Sequence, residues 1–225
     1  MKLKELSLSE RPRERLLSKG PSALSTPELV AILIRTGSAR KNVVETACEL
    51  LAEAGGLTVL SSMSVEDMTR VGGVGLDKAA TVAAAFELGR RFMAENIVRR
   101  KVTSSSDVYA VMSPLLKGAD HEECWILYLN RANMVIGKDI VSSGGMASTV
   151  VDVPSIVRRA IAKKASSMVM IHNHPSGNPT PSDDDVRRTV ELRKAAVACG
   201  LSLLDHVIVA DSSYYSFSDE FVSPV

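Results

Sequence analysis

The strongest constraint on the fold is a change of hydrophobic patterning near residue 100. Before it, apolar residues recur only at helical spacing. Leu29, Ile32 and Leu33 follow the helix-start signal Ser25-Thr26-Pro27-Glu28, and Val43, Ala47, Leu50 and Leu51 stripe the segment 42–54, which Gly55-Gly56 stops. Residues 10–17 open a short helix with Pro12 near its start, Ser64 starts another, and the alanine-rich stretch 78–92 follows Gly72-Gly73-Val74-Gly75. Beyond residue 100, apolar runs of strand length alternate with helical segments. Runs 124–129 and 134–141 flank a hairpin at Asn130-Arg131-Ala132-Asn133; helix 157–164, buried strand 167–172, helix 186–199 closed by Gly200 and strand 201–209 follow. The pattern predicts a small all-α domain over 1–95, a basic, Ser-rich linker over 96–107 and an α/β domain over 108–225.

Composition removes several classes. With 45% hydrophobic and 24% charged residues the chain has material for a buried core, which argues against disorder. No run of about 18 apolar residues occurs, so no helix is expected to span a membrane. The charged start Met1-Lys2-Leu3-Lys4-Glu5 does not read as a secretory signal. Cys48, Cys124 and Cys199 are odd in number and form no CxxC pair, which fits reduced thiols in the cytoplasm. Net charge is only +1, but it divides: 16 basic and 12 acidic residues run through Lys101, and 11 and 14 follow. A nucleic-acid contact is therefore expected in the first half, where Arg90, Arg91, Arg99 and Arg100 lie.

The chemistry concentrates in the run from His172 to Asp185, HNHPSGNPTPSDDD. A spacing of two sets His172 and His174 on one face of an extended chain. Pro175, Gly177, Pro179 and Pro181 then force a turning loop, with Thr180 as the expected cap of the next helix and Pro181 at its first position. Asp185 falls in the first turns of that helix, where a returning loop could aim it at the imidazoles. Two His and one carboxylate suit zinc, and three protein ligands leave a fourth position for water, the form of a catalytic site. Such a water has a pKa near ~7. A carboxylate nearby is then needed to take its proton, and Ser182 could donate to a developing oxyanion. Taken singly, the histidines could be satisfied strand-end groups and the aspartates a favourable helix start. Their joint occurrence in 14 residues favours the metal reading.

The pattern His172-x-His174, seven residues, then Ser182-x-x-Asp185 resembles the JAMM motif of MPN-type zinc metalloproteases. The whole chain is similar to the bacterial RadC family through His172-Asn173-His174-Pro175-Ser176-Gly177, Pro181-Ser182, Leu204-Asp205-His206 and the helical first half. The resemblance implies a cytidine-deaminase-like α/β sandwich of the MPN type. It implies one Zn2+ per chain held by His172, His174 and Asp185, Ser182 as a transition-state donor, and a glutamate base on an early strand. Glu122 and Glu123 are the candidates; alternation lets only one face the metal, and alignment with the family pattern favours Glu122. His206 belongs to the family pattern too, either behind the ligands, at the substrate edge, or as a structural strand histidine. Cys124 shares a strand face with Glu122 and reads as a buried thiol.

In the first half, Gly73-Val74-Gly75-Leu76-Asp77-Lys78 resembles a helix-hairpin-helix turn. Glycines there admit a tight turn, amides at the helix start could hold a phosphate, and Lys78 could add a charge. Two functions follow as expectations. One is a zinc hydrolase acting on an amide or isopeptide bond of an unidentified peptide or protein. The other is a DNA-associated repair or recombination factor that binds through the hairpin at Gly73, Gly75 and Lys78, with the metal site structural or acting on a DNA-bound partner.

Overall fold

The structure, a computed structural model, describes residues 11–117, 119, 121–143 and 152–219, with backbone alone at 143 and 221–224. The chain divides into two compact units, Met1–Gly89 and Arg90–Val225.

The first unit is helical: α1 (Pro12–Lys19), α2 (Thr26–Ile34), α3 (Val43–Ala54), α4 (Leu57–Ser62), α5 (Val65–Met68) and the start of α6 (Leu76–Glu95). Local chemistry sets these boundaries. Ser25 and Glu28 form a capping box on α2, Asn42 and Glu45 form another on α3, and Gly55 ends α3 in the left-handed region at φ 77°. The apolar stripes expected from the sequence bury against one another: Ile34, Leu50, Leu60, Met68, Val74 and Val82 share one core.

The second unit is built on a six-stranded sheet in the order β2-β1-β3-β4-β5-β6, with β1 (Glu123–Leu129), β2 (Val135–Ser143), β3 (Ser167–Asn173), β4 (Ser202–Val209), β5 (Ser213–Ser216) and β6 (Phe221–Pro224). Among the described residues only β3 and β4 pair in parallel; the helix α9 (Asp183–Ala198) connects them. Alternation along the strands gives two cores. Trp125, Leu127, Leu129, Val169, Ile171 and Val207 pack with α7 (Ser105–Leu116) on one face. Cys124, Ile126, Tyr128, Met168 and Met170 pack on the other with α8 (Val153–Ala162) and α9. Both faces of the sheet are covered, so β1 and β3 are apolar throughout rather than alternating.

The stretch expected as a linker, 96–107, is not a free tether. Arg99 donates its N–H to the Val135 carbonyl (2.7 Å), Val102 to that of Asn133 (2.9 Å), and Lys101 bridges Met134. Ile97 and Val102 are buried in the α7 core, and Ser104 caps α7, which begins at Ser105. Serine enrichment marked a helix start here, and two isolated apolar residues sufficed to anchor the strand edge. Among the described residues no helix is long and apolar enough to cross a membrane.

Candidate metal centre

The end of β3 and the start of α9 create the site. His172 lies within β3 and His174 one step past its end, where its N–H still bonds the Val209 carbonyl (2.9 Å). The loop then turns: Gly177, at φ 77°, donates its N–H to the His174 carbonyl (3.0 Å), a backbone conformation that glycine adopts at little cost. The helix starts at Asp183, ahead of the expected 186, and its N-cap is Ser182 rather than Thr180: Ser182 and Asp185 satisfy each other's N–H groups as a capping box. Asp185 Oδ2 accepts from the Ser182 N–H (2.8 Å) and from its hydroxyl (2.6 Å).

That capping box sets the carboxylate against the two imidazoles, Oδ1 toward His172 and Oδ2 toward His174. His172 Nε2 lies 3.3 Å from Asp185 Oδ1, His174 Nε2 lies 3.6 Å from Asp185 Oδ2, and the two Nε2 atoms are 2.9 Å apart. One ligand atom from each of the three residues falls within 4.8 Å of the others. The outer nitrogens are tied off: His174 Nδ1 donates to the Asn178 carbonyl (2.7 Å), and His172 Nδ1 pairs with His206 Nε2 (2.8 Å). Neutral rings bonded this way turn their Nε2 lone pairs inward. Two lone pairs and a carboxylate at this range repel unless a proton or a cation sits among them, so the donor set fits a divalent metal.

The electrostatics divide the two histidines. Burial pushes His172 down to about 4 despite the neighbouring Asp185 charge. Burial also works against charge on His174, but the Asp185 carboxylate and the Asn178 carbonyl outweigh it and raise its pKa. Asp185 is opposed by burial yet held well below the ordinary carboxylate range by the bond from His174 and the charge of His172. Cys124 pairs with His172 across β1 and β3; burial pushes its thiol up to about 12, and its sulfur is not among the converging ligand atoms.

The two candidate glutamates separate by parity. Glu123 faces the Trp125 side, is buried, and accepts from Trp125 Nε1 (2.9 Å) with His121 Nε2 at 3.4 Å. Glu122 is exposed, shares the face of Cys124, and its charge favours protonation of His174. Asn173 pins this segment. Its Oδ1 accepts from the Glu123 N–H (2.7 Å) and its Nδ2 donates to the His121 carbonyl (3.0 Å), bracketing Glu122. Pro175 has no N–H with which to continue the ladder past His174, so the Asn173 amide supplies the missing donor. Ser182 lies at the rim, its hydroxyl turned to Asp185 rather than outward.

Sequence reasoning attached no role to Asn173, Asn178, Thr189 or Asp205. Leu204-Asp205-His206 resolves by alternation: His206 points to the metal side, whereas Asp205 accepts from Ser216 Oγ (2.7 Å) and from the Ser218 N–H (3.0 Å) and holds the turn after β5. Burial raises the Asp205 pKa against those bonds.

The glycine turn of the first unit has a different character. Lys78 Nζ donates to the carbonyls of Thr36 (2.6 Å), Gly37 (3.1 Å) and Gly73 (2.6 Å), so all three of its protons are engaged within the fold. Gly73 sits at φ 93°, and a Cβ there would meet Ser38 Cβ at 2.8 Å. The Gly75 carbonyl accepts the first N–H groups of α6, from Lys78 (3.1 Å) and Ala79 (3.0 Å).

Residues 102–222 match the family model described as RadC-like JAB domain. The chain belongs to the RadC family. Residues 3–80 of this RadC-family chain match a second model, UPF0758 N-terminal. Among curated relatives, the chain is similar to a UPF0758 protein of Staphylococcus aureus (43% identical over 218 residues, 96% of this chain and 95% of the relative) and to one of Flavobacterium johnsoniae (41% over 219 residues, 97% and 96%). A third, from Methanosarcina acetivorans, is 39% identical over 223 residues, 98% of this chain and 96% of the relative.

Proposed function

We propose that the second unit is a zinc-dependent hydrolase that cleaves an amide or isopeptide bond of a peptide or protein. The observation that carries this reading is the convergence of His172, His174 and Asp185 with both imidazoles bonded on their outer nitrogens. Three protein ligands leave a coordination position open, as in catalytic rather than structural zinc sites. The JAB domain family includes metallohydrolases, which supports the class of reaction; the amide preference rests on the JAMM-like spacing alone.

Zinc bound there would supply Lewis acidity, lowering the pKa of a water toward about 7. The chain's own groups divide the remaining tasks. Glu122, exposed and on the imidazole side, would accept a proton from the attacking water and return it to the leaving nitrogen. Asn173 would keep Glu122 in register through the backbone on either side of it. Ser182, once its hydroxyl rotates away from Asp185 Oδ2, would donate to the developing oxyanion.

The test is turnover of a panel of peptide- and isopeptide-linked fluorogenic substrates by the zinc-loaded full chain beside its Glu122→Gln and Glu123→Gln variants. Glu122→Gln is expected to lose about 10²–10⁴-fold in turnover while keeping its zinc, and Glu123→Gln to remain active. Equal activity of Glu122→Gln and wild type would remove Glu122 from the mechanism, and no turnover of any amide by zinc-loaded protein would remove the reaction class.

A further inference from the structure

On the side of His172 away from His174 and Asp185 lies a second, fully buried imidazole, His206 of β4, with 0% of its surface exposed. Phe217 stacks on it (ring centroids 4.8 Å apart, planes at 4°), and the Phe217 N–H bonds the His206 carbonyl (3.0 Å), so the ring plane is fixed. Three contacts run in series through it. Thr189 Oγ1 lies 2.5 Å from the Asp185 carbonyl oxygen; His206 Nδ1 lies 2.6 Å from Thr189 Oγ1; His172 Nδ1 lies 2.8 Å from His206 Nε2.

Counting donors gives this series one direction. A carbonyl oxygen can only accept, so the single Thr189 hydroxyl proton goes to Asp185. Thr189 Oγ1 must then accept from His206, which assigns the His206 proton to Nδ1. A buried neutral imidazole with its proton on Nδ1 offers a lone pair at Nε2, and that lone pair accepts the proton of His172 Nδ1. His172 is left with a bare Nε2, 3.3 Å from Asp185 Oδ1. The series begins on the main chain of one candidate ligand, Asp185, and ends on the ring of another, His172.

We propose that His206 and Thr189 are positioning residues for the metal centre, a relay that sets the His172 tautomer and locks that ring to the first turn of α9. The proposal rests on the metal reading above. It does not need His206 to touch either metal or substrate. Partners of this kind, one shell behind the ligands, contribute roughly 10–100-fold to metal affinity.

The experiment measures zinc affinity by chelator competition, together with the visible spectrum of the Co(II)-loaded protein, for the full chain and for His206→Phe, Thr189→Val and Thr189→Ser. His206→Phe keeps a ring beside Phe217 but removes the acceptor; Thr189→Val keeps the shape and removes the hydroxyl, which Thr189→Ser restores. His206→Phe and Thr189→Val are expected to weaken zinc by roughly 10–100-fold and to shift the Co(II) bands, with Thr189→Ser near wild type. If His206→Phe fails to fold, the Val and Ser pair decides. Variants that lose thermal stability but keep wild-type affinity and spectrum would assign the residues to packing and overturn the proposal. A wild type that binds no zinc would instead overturn the metal reading, and the proposal with it.

Discussion

The turn that leads into α6 and the turn that leads into α9 are both glycine-bearing loops before a helix, yet they dispose of their polar atoms in opposite ways. Before α6, Lys78 spends its three protons on the carbonyls of Thr36, Gly37 and Gly73, and none of them is left over for a ligand. Before α9, hydrogen bonds tie down the Nδ1 atoms of both histidines and Asp185 Oδ2, while His172 Nε2, His174 Nε2 and Asp185 Oδ1 face one another. A motif becomes a site through what its hydrogen bonds leave over. The letters of the two loops do not reveal that remainder; the donor count does.

The comparison breaks most directly at the ligands. His174→Ala or Asp185→Ala should abolish stoichiometric zinc binding, a larger effect than the roughly 10–100-fold expected of outer partners, while the far-UV circular dichroism of the full chain is retained. Zinc retained in either variant would remove that residue from the ligand set. At the other turn, Lys78→Met should lower unfolding stability by about 1–3 kcal/mol, because part-buried carbonyls lose a charged donor, and leave zinc content unchanged. A Lys78→Met variant as stable as wild type but weakened in DNA binding would assign Lys78 to a phosphate contact instead.

Acid sharpens the contrast. His172 and His206 have folded pKa values below the ordinary 6.5, so their contribution to stability is present above about pH 6.5 and is lost as the unfolded chain gains protons below it. His174, with a raised folded value, contributes in the opposite sense, stabilising below that pH. With two depressed groups against one raised, metal-free protein should lose stability between pH 6.5 and 4, measurable by denaturant titration across that range. Stability that rises over that interval would contradict the assigned neutrality of the buried pair. The smallest effect separates the glutamates. Glu123→Ala leaves Trp125 Nε1 unpaired in the core and should cost about 1–3 kcal/mol, whereas Glu122→Gln at an exposed position should stay within about 0.5 kcal/mol. Reversed costs would mean that the two side chains lie on the opposite faces.

Much of this was legible before any coordinates. The spacing of His172 and His174, the helix start at Ser25, the stripe of α3, and the apolar runs of β1 and β3 rest on local rules that a sequence carries in full. What escaped was long-range. Thr189 and His206 are 17 residues apart and meet only because β4 runs parallel beside β3; Asn173 reaches 50 residues back to Glu123. Ile97 and Val102 were hidden in a polar stretch because a strand edge needs few anchors, and Lys78 looked like a free cation because two of its three acceptors lie about 40 residues earlier.

The most direct measurement of the central claim is zinc K-edge X-ray absorption on the full chain loaded with one equivalent of metal. The account predicts a four-coordinate site with nitrogen and oxygen neighbours alone at about 2.0–2.2 Å, two of them showing the outer-shell scattering of imidazole. A sulfur neighbour near 2.3 Å, which would bring in Cys124, or fewer than two imidazoles, would contradict it.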